Sequence, residues 1–466
     1  MASKTMDLGN GPVGRLVAKL AAPAVVAQVI NLLYNLVDSM YVGGIPKTGT
    51  DALAGLGVAL PVTLILSAFS NIVGMGGAPL ASIFLGENKR DEAERVFNNG
   101  FVLLLIFGVA LTAVILSAGD PILKLFGAPD SSFEYASDYL FIYGAGTLFV
   151  MISLGLNPFI TAQGFSFTSM ATVAIGAVLN IGLDPLFIFA LNMGVKGAAL
   201  ATIISQGVSA AWVIIFFSGK KTRFRFRKEF FRISPTTAGR ILILGLSPFI
   251  MSVTESAIQI VFNVNLKHYS GNDSDYTAAL TIMLSANQMV CMPLNGLGTG
   301  VQPLVSYNYG AGNSARIKKA VKIVSIVALC VSTTVWLISL LVPQIYGYVF
   351  SASPSVMELI KKYTPYFMMG TIFFFAQMTL QNVFVALNQA KISIFLACLR
   401  KVILLIPLCF ILPLFAGSAG VYYSEGIADI IAGITTATTF FVMSPRILKK
   451  REQQIALEHS YNKNAA

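Results

Sequence analysis

Twelve apolar runs, each long enough to cross a bilayer, follow one another along a chain of 466 residues. They cover approximately 16–42, 53–77, 96–118, 134–156, 167–190, 198–218, 240–264, 277–303, 320–342, 363–387, 391–415 and 420–443. Each is bounded by charges or by Gly, Pro and Asn clusters, and about 20 apolar residues suffice for one transmembrane helix. Composition agrees. The chain is 55% hydrophobic and 11% charged, whereas soluble domains carry about 25% charged residues. A soluble globular protein, a disordered chain, a collagen and a secreted disulfide scaffold are all excluded. The first run is too long for the apolar core of a signal peptide and is expected to remain in the mature protein. The expected fold is an all-α polytopic membrane protein.

The net charge of +11 raises the question of nucleic acid, and its distribution answers it. With the N-terminus placed in the cytoplasm, 26 of the 32 Lys and Arg fall on the cytoplasmic side, eight of them after the sixth run. This is the positive-inside pattern of membrane proteins. Segment Lys220–Lys228 alternates basic and aromatic residues as an RNA-binding strand would. A cytoplasmic loop beside anionic headgroups requires the same residues, so no nucleic-acid partner is expected.

That basic loop lies at the centre of the chain, and the sequences on either side repeat. Leu-Ala-Ala-Pro23 corresponds to Gly-Leu-Ser-Pro248, a shift of 225. Gly76-Gly-Ala-Pro-Leu-Ala-Ser82 corresponds to Gly300-Val-Gln-Pro-Leu-Val-Ser306, a shift of 224, and Asn157 pairs with Asn382 at 225. Each half holds six runs, an even number, so the halves must be parallel repeats about an axis along the membrane normal. The expected organisation is an N-lobe (1–218), a basic linker (219–239), a C-lobe (240–443) and a basic cytoplasmic tail (444–466), with the lobes facing a central cleft.

Apart from Glu134 and Asp138 at the start of the fourth run, five acids lie inside the runs: Asp38, Asp184, Glu255, Glu425 and Asp429. A carboxylate at the bilayer centre costs about 2.5 kcal/mol or more and marks a functional position by default. Glu425 lies about one turn from the outer end of its span and is expected to be solvated. Asp38 and Asp184 differ, because their surroundings are polar at helical spacing. Gln28, Asn31, Asn35 and Asp38 share one face of the first span, and Asn180 and Asp184 are one turn apart in the fifth. At 1.5 Å per residue, Asp38, Asp184 and Thr202 all fall in the outer part of the N-lobe. Two carboxylates with Asn and Thr oxygens suit one Na⁺ or one proton. The same groups could instead serve as a polar network tying the spans together.

No matching pair occurs in the second half, where Asn263 stands at the counterpart of Asp38. Glu255 and Gln259 share a face of the seventh span and offer either a second ion site or an anchor for a cationic substrate. Arg400 and Lys401 are candidate partners for Glu255 or Asp429. Strings such as Gly74-Met-Gly-Gly77 and Gly296-Leu-Gly-Thr-Gly300 read as close helix packing, since they lack the Lys-Ser/Thr of a phosphate loop. The four cysteines lie in apolar stretches, and only two histidines occur. No hydrolytic triad, zinc motif or nucleotide-binding domain is present, so no enzyme is expected and energy for transport must come from an ion gradient.

Several strings together resemble the multidrug and toxic compound extrusion (MATE) family. They are Pro23 with Tyr34-Asn-Leu-Val-Asp38, Asn180-Ile-Gly-Leu-Asp-Pro185, Gln302-Pro-Leu-Val-Ser-Tyr-Asn-Tyr-Gly-Ala311, and Gly420-Val-Tyr with Ile427-Ala-Asp429. The resemblance spans essentially the whole chain and is strongest to the bacterial and archaeal branch with an acidic site in the N-lobe. It implies an inner-membrane antiporter, with both termini cytoplasmic, that expels cationic amphiphilic drugs in exchange for Na⁺ or H⁺ without another cofactor. It assigns the coupling cation to Asp38, Asn180, Asp184 and Thr202. The expected substrate cavity comprises Asn31, Asn35, Asn157, Glu255 and Gln259, with Pro23 as the hinge of the first span. The protein is expected to act as a monomer in the lipid bilayer. The alternatives are a flippase for a lipid-linked precursor, which would need a cleft rich in Arg or Lys for pyrophosphate, and a receptor or scaffold that transports nothing.

Overall fold

The computed structural model describes residues 6–46, 49–127, 129–271 and 273–465, and no β-strand occurs among them. In the first half the helices are α1 (Val13–Gly43), α2 (Gly49–Gly86), α3 (Arg90–Leu125), α4 (Asp130–Ala145), α5 (Thr147–Ala162), α6 (Ser166–Pro185) and α7 (Val195–Ser218). The second half holds α8 (Pro235–Tyr269), α9 (Ser274–Gly310), α10 (Ser314–Leu341), α11 (Gln344–Val349), α12 (Pro354–Phe367), α13 (Gln381–Ala386), α14 (Ala390–Cys398), α15 (Ile406–Ala416) and α16 (Ser418–Ala465).

Two of the expected spans are not straight. The fourth, expected over 134–156, is built from α4 and α5, which meet at Gly146 with a bend of 61°. The tenth, expected over 363–387, breaks between α12 and the stretch from Thr371 to Ala386 with a bend of 46°. Among the described residues, ten helices are long and apolar enough to cross a membrane, and each bent pair counted as one span brings the number to twelve. A backbone kink leaves an apolar run intact, so hydropathy alone reads through it. The last helix continues without interruption through the basic tail, where Arg451 donates to the carbonyls of Tyr309 and Gly310 at 3.1 and 3.2 Å.

The repeat inferred from sequence recurs in the contacts. Ser82 donates to the Ala162 carbonyl at 3.0 Å, and Ser306, its counterpart, donates to the Ala386 carbonyl at 3.0 Å. Asn157 donates to the Ser169 carbonyl, as Gln381 does to that of Ser393, so the counterpart of Asn157 is Gln381 at a shift of 224 rather than the expected Asn382, which donates to Asn295 and the Met378 carbonyl instead. Glycines allow the equivalent close approaches. Gly245 of α8 lies against the backbone of Ile72 in α2 with no room for a Cβ, and a Cβ on Gly300 of α9 would stand 2.7 Å from the Ala21 Cα in α1.

Contacts divide the chain into two compact units, one built mainly of Val26–Ser252 and the other of Leu8–Val25 with Val253–Ala466. The boundaries cut α1 two residues after Pro23 and α8 four residues after Pro248, at the equivalent prolines of the two repeats. Leu56, Leu66, Tyr139, Leu140, Val150 and Ile188 are among the buried core of the first unit. Phe262, Met283, Tyr363, Phe367 and Tyr422 belong to the core of the second.

The alternating basic and aromatic stretch is folded onto the first unit. Phe224 is fully buried and stacks on Phe97, while Phe226 packs against Phe97 and Phe101. Next to Phe226, Arg227 reaches out to Glu94 at 2.6 Å. The alternation therefore presents aromatic rings inward and cations toward the surface or an acid, which accounts for it without nucleic acid.

Candidate functional site

Helix periodicity places the first cluster. On α1, Asn31, Tyr34 and Asp38 follow one another at three- and four-residue steps, which stacks them on one face. On α6, Asn180 and Asp184 are one turn apart, and Pro185 follows immediately. Proline carries no N–H, so the chain leaves the α-helix there in a single π-helical turn over Leu186–Ala190. Helix α7 then starts at Val195 and brings Thr202 alongside. Asp38 is 6% exposed and Asp184 is completely buried, with Asn180 and Thr202 almost as deep.

The amide orientation of Asn180 that gives every atom a partner has its nitrogen donating to Asp184 Oδ2 at 2.8 Å and its oxygen accepting from Thr202 Oγ1 at 3.2 Å. Asp38 and Asp184 are near enough for each charge to act on the other, and Tyr34 and Tyr139 also feel the Asp38 charge. One oxygen of each carboxylate, Asp38 Oδ1 and Asp184 Oδ1, is buried with no hydrogen-bond donor. A buried carboxylate needs a counter-charge or a proton. The donor set is therefore suited to one monovalent positive charge, coordinated by hard oxygens.

Below this pair lies a cavity of about 40 Å³ lined by Asn31, Tyr34, Asn157, Asn180, Thr202, Ser205 and Gln206 among others. Two of the expected cavity residues, Asn31 and Asn157, belong to its wall. Asn35 is exposed and lies outside the lining.

A second charged cluster occupies the other unit. Arg400 donates from Nε to Asp429 at 2.6 Å and from Nη2 to Glu425 at 3.1 Å. Lys401 pairs with Glu255, whose side chain remains 40% exposed. Asn287 donates to Glu425 at 3.5 Å, and Gln377 donates to the Asp429 carbonyl at 3.0 Å. A π-helical turn over Leu399–Leu405 carries both cations inward, just before Pro407 opens α15. Glu425 corrects the expectation of a solvated acid. It is 5% exposed, because α16 begins at Ser418 and sets it two turns inside the helix, facing Arg400. Arg400 and Lys401, counted among the cytoplasmic cations by position, are likewise buried. The sequence did hold a signal for this cluster: Glu425 and Asp429 are spaced i, i+4 on one helix face, and buried acids require cations in reach. Gln259 lies one turn beyond Glu255 and is half-buried.

Comparisons with known proteins converge. The model of the family described as MatE matches residues 23–186 and again 248–411, two segments offset by the 225 residues of the internal repeat. Curated relatives include the multidrug export protein MepA of Staphylococcus haemolyticus, 26% identical over 94% of this chain and 95% of the relative. MepA of Staphylococcus aureus strain MRSA252 is also 26% identical, over 94% of this chain and 96% of its own. A solved structure described as the outward-facing conformation of a multidrug resistance MATE family transporter superposes with a TM-score of 0.87 at 23% identity, covering 96% of this chain and all of that one. A transporter of the MOP superfamily from Pyrococcus furiosus, described as having a binding pocket of reverse polarity that suggests a different function, superposes equally well at 23% identity over the same shares.

Proposed function

Because the chain belongs to the MatE family of multidrug efflux transporters, we propose that it is a secondary antiporter that exports cationic amphiphilic compounds in exchange for Na⁺ or H⁺. The observation that carries this reading is the buried pair Asp38 and Asp184, each with an oxygen that no donor satisfies, with Asp184 joined through Asn180 to Thr202. A cation or proton entering there removes an uncompensated buried charge. It drives transport to the extent that it binds one conformation more tightly than the other, since a ligand shifts an equilibrium only by that difference. Pro23 supplies the mechanical element. Proline removes one helical hydrogen bond and weakens the helix locally, and the two compact units part within two residues of it. Ion occupancy on the outer portion of α1 can therefore alter the angle of that helix at Pro23.

Substrate recognition follows from charge. Glu255 remains partly open to solvent although paired with Lys401, so a cationic amphiphile can compete for its carboxylate, with Gln259 one turn away on the same helix as a polar contact. A flippase for a pyrophosphate-linked lipid would need unengaged cations, whereas both buried cations of the second unit are held by carboxylates. The protein is assigned to the plasma or inner membrane as a monomer with both termini cytoplasmic, in keeping with the distribution of Lys and Arg.

The test is genetic. Asp38→Asn expressed in a drug-sensitised host should reach the membrane at the normal level and confer no resistance. Resistance equal to that of the unaltered protein would remove Asp38 from the coupling mechanism.

A further inference from the structure

The basic segment that follows α7 is fastened to the first unit along its backbone. Gln163, at the end of α5, accepts from the Thr222 hydroxyl at 2.9 Å and from the backbone N–H groups of Arg223 and Phe224. On α3, Asn98 donates to the Arg225 carbonyl at 2.9 Å and accepts from the Arg227 N–H at 3.1 Å. Asn99 does the same for the Phe230 carbonyl at 3.0 Å and the Ser234 N–H at 2.8 Å. Burial alternates from Thr222 to Arg225, with Thr222 and Phe224 turned into the unit and Arg225 exposed. The segment therefore presents its charges at set positions.

Those charges are unopposed. The neighbouring acids Asp91, Glu92, Glu94 and Glu229 are already engaged by Arg227, Arg90 or Arg95. Among the described residues, no acid pairs with Lys220, Lys221, Arg223, Arg225, Lys228 or Arg232. Beside them Phe231 is 37% exposed, an apolar ring of the kind that settles at the boundary between headgroups and acyl chains.

Two features select the chemistry of the partner. Helix α3, along which the segment lies, leaves Ile106, Val109, Val114 and Leu116 open, as a helix against lipid does, and the cations stand beyond the end of that apolar face. The rings of Phe224 and Phe226 are packed against Phe97, so they offer no platform on which the bases of a single-stranded nucleic acid could stack. What remains is a row of cations beside one exposed ring. Along an extended segment Arg223 and Arg225 are about 7 Å apart, far enough for each guanidinium to take its own phosphate through paired N–H groups.

We infer that residues 220–232 form a docking surface for the phosphate headgroups of anionic phospholipids, built against the start of α3. A positive-inside bias needs only cations on one side of the membrane. Unpaired cations held in place by Gln163, Asn98 and Asn99 make a localised site instead, and the two differ in how they respond to charge removed elsewhere.

The test titrates the full-length protein in detergent with phosphatidylglycerol and with phosphatidylcholine, counting bound lipid by native mass spectrometry. The unaltered protein should bind phosphatidylglycerol more tightly. Arg223→Gln combined with Arg225→Gln should weaken that binding about thirtyfold, at about fivefold for each cation, and leave phosphatidylcholine binding as it was. The melting temperature without lipid should stay the same, because neither guanidinium has an acid to lose. Lys221→Gln combined with Lys228→Gln provides a second pair from the segment, with the same loss expected, should the first fail to fold. Lys318→Gln combined with Lys319→Gln removes equal charge from two exposed positions of α10 and should leave phosphatidylglycerol binding unchanged. Equal affinity of the unaltered protein for the two lipids would overturn the inference, as would undiminished phosphatidylglycerol binding in the segment variants or an equal loss in the α10 variant. Displacement of the lipid by glycerol phosphate or by an oligouridylate at lower concentration would also overturn it, by giving the surface to a soluble phosphate or to RNA.

Discussion

At the scale of single residues, the two units solve the same electrostatic problem differently. In the first, Asp184 accepts from Asn180, which in turn meets Thr202, and Asp38 and Asp184 leave an oxygen apiece unsatisfied. In the second, Glu425 and Asp429 are joined by a guanidinium belonging to the chain itself. Arg400 thus stands in the second unit where a mobile cation is proposed for the first. It is fixed by two charge-assisted bonds, which are roughly twice as strong as neutral ones. Removing one partner of a buried ion network costs about 3–5 kcal/mol, because the remaining charges are left unpaired. Arg400→Met should therefore lower the melting temperature in detergent substantially. Adding Glu425→Gln and Asp429→Asn to the same protein should restore most of the loss. An Arg400→Met variant that melts with the unaltered protein would show that the cluster contributes nothing to stability.

At the scale of elements, small residues and helix breaks set which faces meet. Gly245 and Gly239 both lie in α8, yet they differ in surroundings. A Cβ on Gly245 would run into the backbone of Ile72, whereas one on Gly239 would meet nothing within 4 Å. Gly245→Ala should destabilise by about 1–3 kcal/mol, the usual cost of overpacking. Gly239→Ala should be neutral or stabilise by up to about 1 kcal/mol through helix propensity. Thermal unfolding of the two variants side by side checks this, and equal melting temperatures would contradict the close approach of α2 and α8. Helix breaks were the part of the fold least legible in sequence. The bend at Gly146 falls inside an apolar run and the π-helical turn over Leu399–Leu405 in a run whose apolar character is broken there by Arg400 and Lys401, and hydropathy has no dependence on local backbone direction. The π-helical turn after Asp184 was better marked, because Pro185 signals that a donor is missing.

At the scale of the whole molecule, the internal repeat was readable because it left similar strings at a shift of 224 or 225, and paired hydrogen bonds such as Ser82 to Ala162 and Ser306 to Ala386 preserve it. The N-lobe cluster was readable for a related reason. Asn31, Asp38, Asn180 and Asp184 are polar residues at helical spacing within apolar helices, a pattern that few structural needs produce. The ion network around Arg400 was harder to read, since its members come from α8, α16 and the π-helical turn and their pairing depends on how those elements rotate. Depth estimated from residue count also failed at Glu425, where the start of the helix decided burial. The asymmetry between one unit with a built-in cation and one without is the property on which the proposed ion coupling rests. Its direct test is gradient-driven transport by purified protein in proteoliposomes, with ethidium as cargo and Na⁺ and pH gradients imposed in turn. One of the two gradients should drive ethidium in the unaltered protein and neither should do so in Asp38→Asn or Asp184→Asn. Undiminished gradient-driven transport by those two variants would contradict the assignment of the buried carboxylate pair as the coupling site.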